Sequence, residues 1–325
     1  MVNLPRWDAL PGDAERCLAD IDNWADILRN SGLVAAFSVR AAAAMGELEG
    51  ERLLDALDSF AAANWDFRGG RERNLASPPV LTAAEAAALD TVAAPLGLDG
   101  TSSPRRDRFD AVVMTGGMVR AGIVKPRFLR ELHDSGLRWR EGVFLGGFRP
   151  FAGDEVDVAR ALGVVGDNEF DAMTFGMREA FGLGPPDSVE PVDTPLPAAA
   201  GRADWRRDSW DWSGHALQVV AAPSSDPARR RANTADTFRF WASHATGVGS
   251  VLVITTPVYV PYQGAAAIEV FGLEFGMAVE TAAVSASASD LGAHSQEFLP
   301  QHRAQELRSA IHGMRTLRTK LSKAG

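Results

Sequence analysis

The stretch Phe109-Asp-Ala-Val-Val-Met-Thr-Gly-Gly117 constrains the fold of this chain more than any other. Ala111, Val112, Val113 and Met114 run without polar alternation, the pattern of a strand buried on both faces in a parallel sheet. The two glycines at its carboxyl end permit a tight turn and close approach of backbone to a ligand. The same grammar returns in Gly142–Gly147, Leu217–Pro223 and Ser250–Pro257, and a fifth run, Ala278–Ser285, closes the set. The expectation is an α/β fold, a Rossmann-like parallel sheet of about five strands flanked by helices, with a helical amino-terminal subdomain. In open sheets of this kind ligands bind beyond the carboxyl ends of the strands. A site is therefore expected around Thr115–Gly117, Gly146–Arg149, Pro223–Ser225 and Thr255–Tyr259.

Residues 1–104 read as the helical subdomain. Leu18, Ile21, Ala25 and Leu28 share one helix face, Leu53, Leu57 and Phe60 another, and Thr82-Ala-Ala-Glu85 is a capping box. Gly69-Gly70 and Pro78-Pro79 punctuate between elements. These helices are expected to cover part of the sheet or to form a homodimer face. Residues 105–325 are expected to form the Rossmann-like domain. Within it, Gly184-Pro-Pro186, Pro191, Pro195, Pro197, Trp205, Trp210 and Trp212 predict an irregular inserted loop at about 182–213. A helix at about 299–321 places Leu307, Ile311 and Met314 on one face and leaves a solvated charged face.

Charge and cysteine usage narrow the classes. A formal charge of −9 speaks against bulk binding to nucleic acid or to an anionic membrane. The single cysteine, Cys17, leaves no intrachain disulfide and reads as a small packed side chain. The first residues carry no basic segment followed by an apolar one, and no run is long enough to span a bilayer, so a cytoplasmic location is expected.

The phosphate loop, the nucleophile elbow and the zinc-protease signature are all absent, and the six histidines lack metal-ligand spacing. Asp154, Glu155, Asp157 and Glu169 are the carboxylates from which a hard cation site would be built, and no metal is assigned. Gly116, Gly117, Gly146 and Gly147 are expected to present backbone N–H groups to an anionic moiety. Arg149 suits a bidentate pair with a phosphate or carboxylate, and Phe148, Tyr259 and Tyr262 suit stacking on a planar ring. Glu169 suits a hydroxyl or amine contact, or general acid/base work; its plain structural role is a carboxylate at a helix start. Thr115, Ser224, Asn233, Thr234, Thr256 and Pro257 complete the expected lining, with Asn233 read equally as a helix cap.

The order strand-Thr-Gly-Gly, strand-Gly-Gly-Phe-Arg, Asn168-Glu169, Asn233-Thr-Ala-Asp-Thr237 and Thr255-Thr-Pro-Val-Tyr-Val-Pro-Tyr-Gln263 resembles the DUF-218 family, the YdcF-like and SanA-like proteins, over roughly residues 109–285. By that resemblance Glu169 matches a helix-opening acid, Asn233, Thr234 and Asp236 an Asn-Thr-x-Glu box, and Pro261 a proline of the last segment. Leu145, Thr237, Tyr259 and Tyr262 depart from the family's serine, asparagine, histidine and arginine. The resemblance implies a small nucleotide-derived ligand, with S-adenosylmethionine or a nucleotide as cofactor. It further implies group transfer or hydrolysis, with Glu169 as the catalytic residue. The alternative is a non-catalytic sensor or scaffold that holds a protein partner through the tryptophan-rich loop and the amino-terminal helices.

Overall fold

The computed structural model describes residues 3–67, 79–190 and 202–324. The helical start comprises α1 (Asp13–Asn30), α2 (Leu33–Phe37), α3 (Val39–Met45), α4 (Gly50–Asn64) and α5 (Ala83–Ala93). Next come β1 (Arg108–Thr115), α6 (Val119–Asp134), β2 (Arg138–Gly146), α7 (Glu155–Ala161) and α8 (Glu169–Phe181). The chain continues through β3 (Ser188–Glu190), β4 (Arg206–Trp212), β5 (His215–Ala221), α9 (Thr234–Ala242) and β6 (Ser250–Thr255). It ends with α10 (Val260–Ala267), β7 (Ala278–Ala283), α11 (Ala286–Ser289) and α12 (Pro300–Ala324). Two compact units result: one takes the chain up to Thr101 together with Pro257–Glu269 and the residues from Glu297 on, the other Ser102–Thr256 and Val270–Gln296. The expected linear split after residue 104 thus meets a chain that returns to its helical start twice.

In the helical unit α1 buries Cys17, Ile21, Trp24 and Leu28, and the Trp24 indole donates to the Leu96 carbonyl at 3.0 Å. Burial pushes the Cys17 thiol up to about 12, which keeps it protonated and unreactive at neutral pH. The capping box at the start of α5 forms as expected, with Glu85 N–H donating to Thr82 Oγ1 and Thr82 N–H to Glu85 Oε2. Helix α12 buries Leu307, Ile311, Met314, Leu317 and Leu321. Its charged side chains are not simply solvated: Arg303 pairs with Asp90, Arg315 with Asp55, and Arg318 with Asp22 at 2.7 Å, tying α12 to α5, α4 and α1. The segments Gly69-Gly70 and Pro78 lie outside the described residues; Pro79 lies inside them.

The second unit holds a seven-stranded sheet in the order β3-β4-β5-β2-β1-β6-β7. The strands β5, β2, β1, β6 and β7 are parallel, with Val113 opposite Val143 on one side of β1 and Val253 on the other. Ala111, Val112, Val113 and Met114 are all fully buried, so both faces of β1 are covered, as the unbroken apolar run requires. One face packs Val112, Met114 and Phe144 against Phe128 and Leu129 of α6 and Met173 and Met177 of α8. Elsewhere in the unit Phe238 and Trp241 of α9 pack on Phe271 at 4.6 and 5.4 Å.

The stretch 182–213 corrects the expectation of an irregular loop. Strands β3 and β4 add antiparallel to the sheet beside β5, because Asp208 and Trp210 alternate inward along Arg206–Trp212 and period-two burial specifies a strand. Pro191, Pro195 and Pro197 lie outside the described residues. The three tryptophans pack on their own chain: Trp205 against Phe240 at 5.7 Å, Trp210 buried with its indole donating to Gly184 O at 3.1 Å, and Trp212 against Phe181 at 4.9 Å.

Candidate functional site

The parallel strands lie in the order third, second, first, fourth, fifth along the chain, so the sheet reverses its winding between β1 and β6. Beyond the carboxyl ends of the strands at such a switch point the connections diverge and leave a crevice. At its floor Thr115 Oγ1 donates to Thr255 Oγ1 at 3.3 Å, both threonines buried. Beneath the glycine turn lies Lys125, 1% exposed, whose ammonium donates to the Thr115 carbonyl, to Thr115 Oγ1 at 3.0 Å and to the Gly116 carbonyl at 3.2 Å. A buried ammonium held by three oxygens draws the end of β1 and the second turn of α6 together.

Glu169 joins the two glycine loops. Its backbone N–H donates to the Arg149 carbonyl at 2.8 Å, and Phe151 N–H donates to Asp167 O at 2.7 Å, so the chain before α8 runs alongside the segment after β2. Asn168 opens α8 by accepting from Asp171 N–H at 3.2 Å, and the Glu169 side chain then turns inward. Its carboxylate accepts from Gly117 N–H, with Gly147 N–H as a second donor. The room is made by absent side chains. A Cβ on Gly116 would run into Glu169 Oε1, and one on Gly146 would lie 2.7 Å from the Met173 sulfur. Burial pushes the Glu169 carboxyl above the usual range, against the pull of Arg149, the two N–H donors and Lys125.

Arg149 is committed to Glu155. Its guanidinium makes two bonds of 2.6 and 2.7 Å to that fully buried carboxylate, and a third of 3.1 Å to Gly117 O. Burial alone would lower the guanidinium, but the Glu155 bond and the charges of Glu169 and Glu155 outweigh it and hold Arg149 above its ordinary value. Glu155 also accepts from Val119 N–H at 3.2 Å and Ala152 N–H at 3.1 Å, which fastens the start of α6 to the segment after β2.

The structure therefore brings together Thr115, Gly116, Gly117, Gly146, Gly147, Arg149 and Glu169. Phe148 packs on Phe170 at 5.4 Å. The end of β5 joins β2 through Ala222 N–H to Gly146 O at 2.9 Å; past it Ser224 Oγ accepts from Asp226 N–H. Asn233 and Asp236 form a capping box at the start of α9, whose first residue is Thr234. Thr256 follows β6 and is buried. Pro257, Tyr259 and Tyr262 belong to the helical unit, where Tyr259 meets the edge of Phe298 at 6.3 Å. Reading the sequence missed Lys125. Its signal was a cation set inside the otherwise apolar run Ala121–Pro126 of α6, every residue of which is buried. No group of three or more metal-ligating side chains occurs among the described residues.

Fold and site together define a doubly wound α/β protein with a half-buried glutamate bridging the glycine turns at its switch point. The sequence profile of the Rv3785 N-terminal domain matches residues 8–97. "Uncharacterized protein Rv3785" of Mycobacterium tuberculosis is 30% identical over 301 residues, covering 82% of this chain and 80% of the relative. "Uncharacterized protein Mb3814" of Mycobacterium bovis matches to the same extent. The chain belongs to the Rv3785 family. No solved structure matches. The resemblance to the DUF-218 family is thereby corrected: the family signal falls on the helical start, which that resemblance left out. Glycine-tipped parallel strands recur across doubly wound sheets, so their order alone does not separate families. Among the described residues no helix is long and apolar enough to cross a membrane.

Proposed function

We propose that this protein binds a small nucleotide-derived ligand at the carboxyl ends of β1, β2 and β5, with Glu169 as the polar anchor. One observation carries the reading: a carboxylate with a raised proton affinity sits between two glycine turns at the switch point of the sheet. A ligand hydroxyl or amine would exchange hydrogen bonds with that carboxylate. The turns admit the close backbone approach that ring and phosphate oxygens need. Where bonds are made or broken, the reaction class is group transfer or hydrolysis, with Glu169 taking and returning the proton.

Gly147 supplies the test, because a Cβ there meets nothing within 4 Å. Gly147→Val should fold with a melting temperature near that of the wild type while narrowing the mouth of the site. Thermal shift against nucleoside mono-, di- and triphosphates should stabilise the wild type, and the shift should disappear in Gly147→Val and shrink in Glu169→Gln. A wild type that responds to no nucleotide, or a Gly147→Val variant that responds as the wild type does, would overturn the proposal.

A further inference from the structure

At the other end of the sheet, five elements deliver a cluster of rings. His133 comes from the last turn of α6, Trp139 from the start of β2, Trp212 from the end of β4, His215 from the start of β5, and Phe181 from the end of α8. Trp212 and His215 face each other across the hairpin. The two residues between them, Ser213 and Gly214, have φ of 53° and 83°, the left-handed pair of a tight hairpin turn. Serine adopts that conformation at a steric penalty, so the turn relies on contacts from its surroundings.

Those contacts are the rings. His133 lies 5.0 Å from Trp212 and 5.2 Å from His215, edge to face in both cases. Trp139 lies 4.4 Å from His215 and parallel to Trp212, with 10° between the planes. His215 Nδ1 lies 2.7 Å from the Trp139 carbonyl, which can only accept, so that nitrogen is the donor of the bond. His133 differs, since its Nδ1 is buried and has no hydrogen-bond partner among the described residues. The Trp139 indole N–H is likewise buried without an acceptor.

We propose that the His133–His215 pair is a proton-operated catch: neutral, it clamps the β4–β5 hairpin to the sheet, and protonation of His133 releases that edge. The edge-to-face packing suits ring contact, whereas a shared metal would need both rings edge-on to a common point. An added proton on His133 is a buried donor with no acceptor. The charged and titratable groups facing it are His215 on β5, Arg138 at the start of β2, and Arg130 and Asp134 on α6. Asp134 is the one anion among these, and it already accepts both its bonds from Arg130 at 2.9 Å. Arg130 in turn lies over the Trp212 ring at 5.0 Å. From α8 the contact is the Phe181 ring, 4.9 Å from Trp212. Burial, then His215, with smaller pushes from Arg138 and Arg130, outweighs the pull of Asp134 and holds His133 below the ordinary histidine value of 6.5. The sign follows. The clamp is complete above the unfolded value and weakens as pH falls through it toward the lower folded value.

Hydrogen–deuterium exchange on the full chain at about pH 7.5 and about pH 5.5 tests this. After correction for intrinsic chemistry, the amides of β4 should exchange roughly three- to tenfold faster at the lower pH, while those of β1 should not change. His133→Phe keeps a ring and removes the proton, and should abolish the difference. Equal pH responses in wild type and variant, or an unchanged β4, would overturn the inference. Should the variant fail to fold, proton NMR titration of the wild-type histidines decides: a His133 midpoint at or above 6.5 refutes the catch.

Discussion

Glu155→Ala should destabilise the protein by about 3–5 kcal/mol, more than most single substitutions. A surface ion pair would not justify that figure, since exposed pairs contribute about 0–1 kcal/mol. The Glu155 side chain is fully buried and Arg149 is 12% exposed, so removing the carboxylate leaves a largely buried guanidinium that has lost its bidentate partner and keeps only the Gly117 carbonyl and the charge of Glu169. Two further donors, Val119 N–H and Ala152 N–H, lose their acceptor in the same step. Urea unfolding should show a lower midpoint at unchanged slope. The companion Arg149→Met with Glu155→Leu removes both charges and should recover much of the loss, leaving about 1–2 kcal/mol for the two uncapped N–H groups. A loss below about 1 kcal/mol for Glu155→Ala would mean that the guanidinium finds water or Glu169 at once, and that the pair does not organise the site.

How much of this was legible in the sequence varies with the physics. The parallel strands were, because a strand buried on both faces writes a largely apolar run, and β1, β2, β5 and β6 each end in a glycine, proline or threonine turn, whereas β7 runs on into Val284 and Ser285. The meeting of Gly117, Gly147 and Glu169 was legible as a place, since chain direction puts strand ends on one edge of the sheet. The bonds within it were not. Arg149 looked available for a ligand, and nothing in Arg149-Pro-Phe-Ala-Gly-Asp-Glu155 says that a turn six residues long will bring its own carboxylate to it. The edge strands were hidden for another reason. Prolines dominate the eye in 182–213, while the alternation of Asp208 and Trp210 is only two beats long. The return of α12 to the amino-terminal helices was illegible in principle. Its apolar stripe states that it packs, and its arginines state that acids lie nearby, but neither names the partner.

Gly176→Ala tests whether the crossing of α6 and α8 sets the position of Glu169. In an open helix the change should stabilise by about 1 kcal/mol, because alanine loses less backbone freedom on folding. Here the added methyl would overlap the Gly122 carbonyl oxygen and lie 2.8 Å from its carbon and 3.0 Å from Ile123 Cα. The reciprocal methyl on Gly122 would lie 2.9 Å from the Ala172 backbone, so neither helix can yield by turning a side chain. Proline contributes as well. Pro126 follows Gly122 by four residues and has no N–H to give that carbonyl, which leaves the oxygen pointing at the α8 backbone. Overpacking of this kind opposes the propensity gain by about 3 kcal/mol or more, so the net expectation is a loss of about 2 kcal/mol in urea unfolding. The displacement runs along α8 to its first residue, Glu169, whose bond to Gly117 joins α8 to the turn that leads into α6. The amide of Gly117 should therefore lose hydrogen-exchange protection in Gly176→Ala even under conditions where the variant is fully folded. A variant more stable than the wild type would show that the helices slide apart freely, and the carboxylate at the glycine turns would then owe its place to its own hydrogen bonds alone.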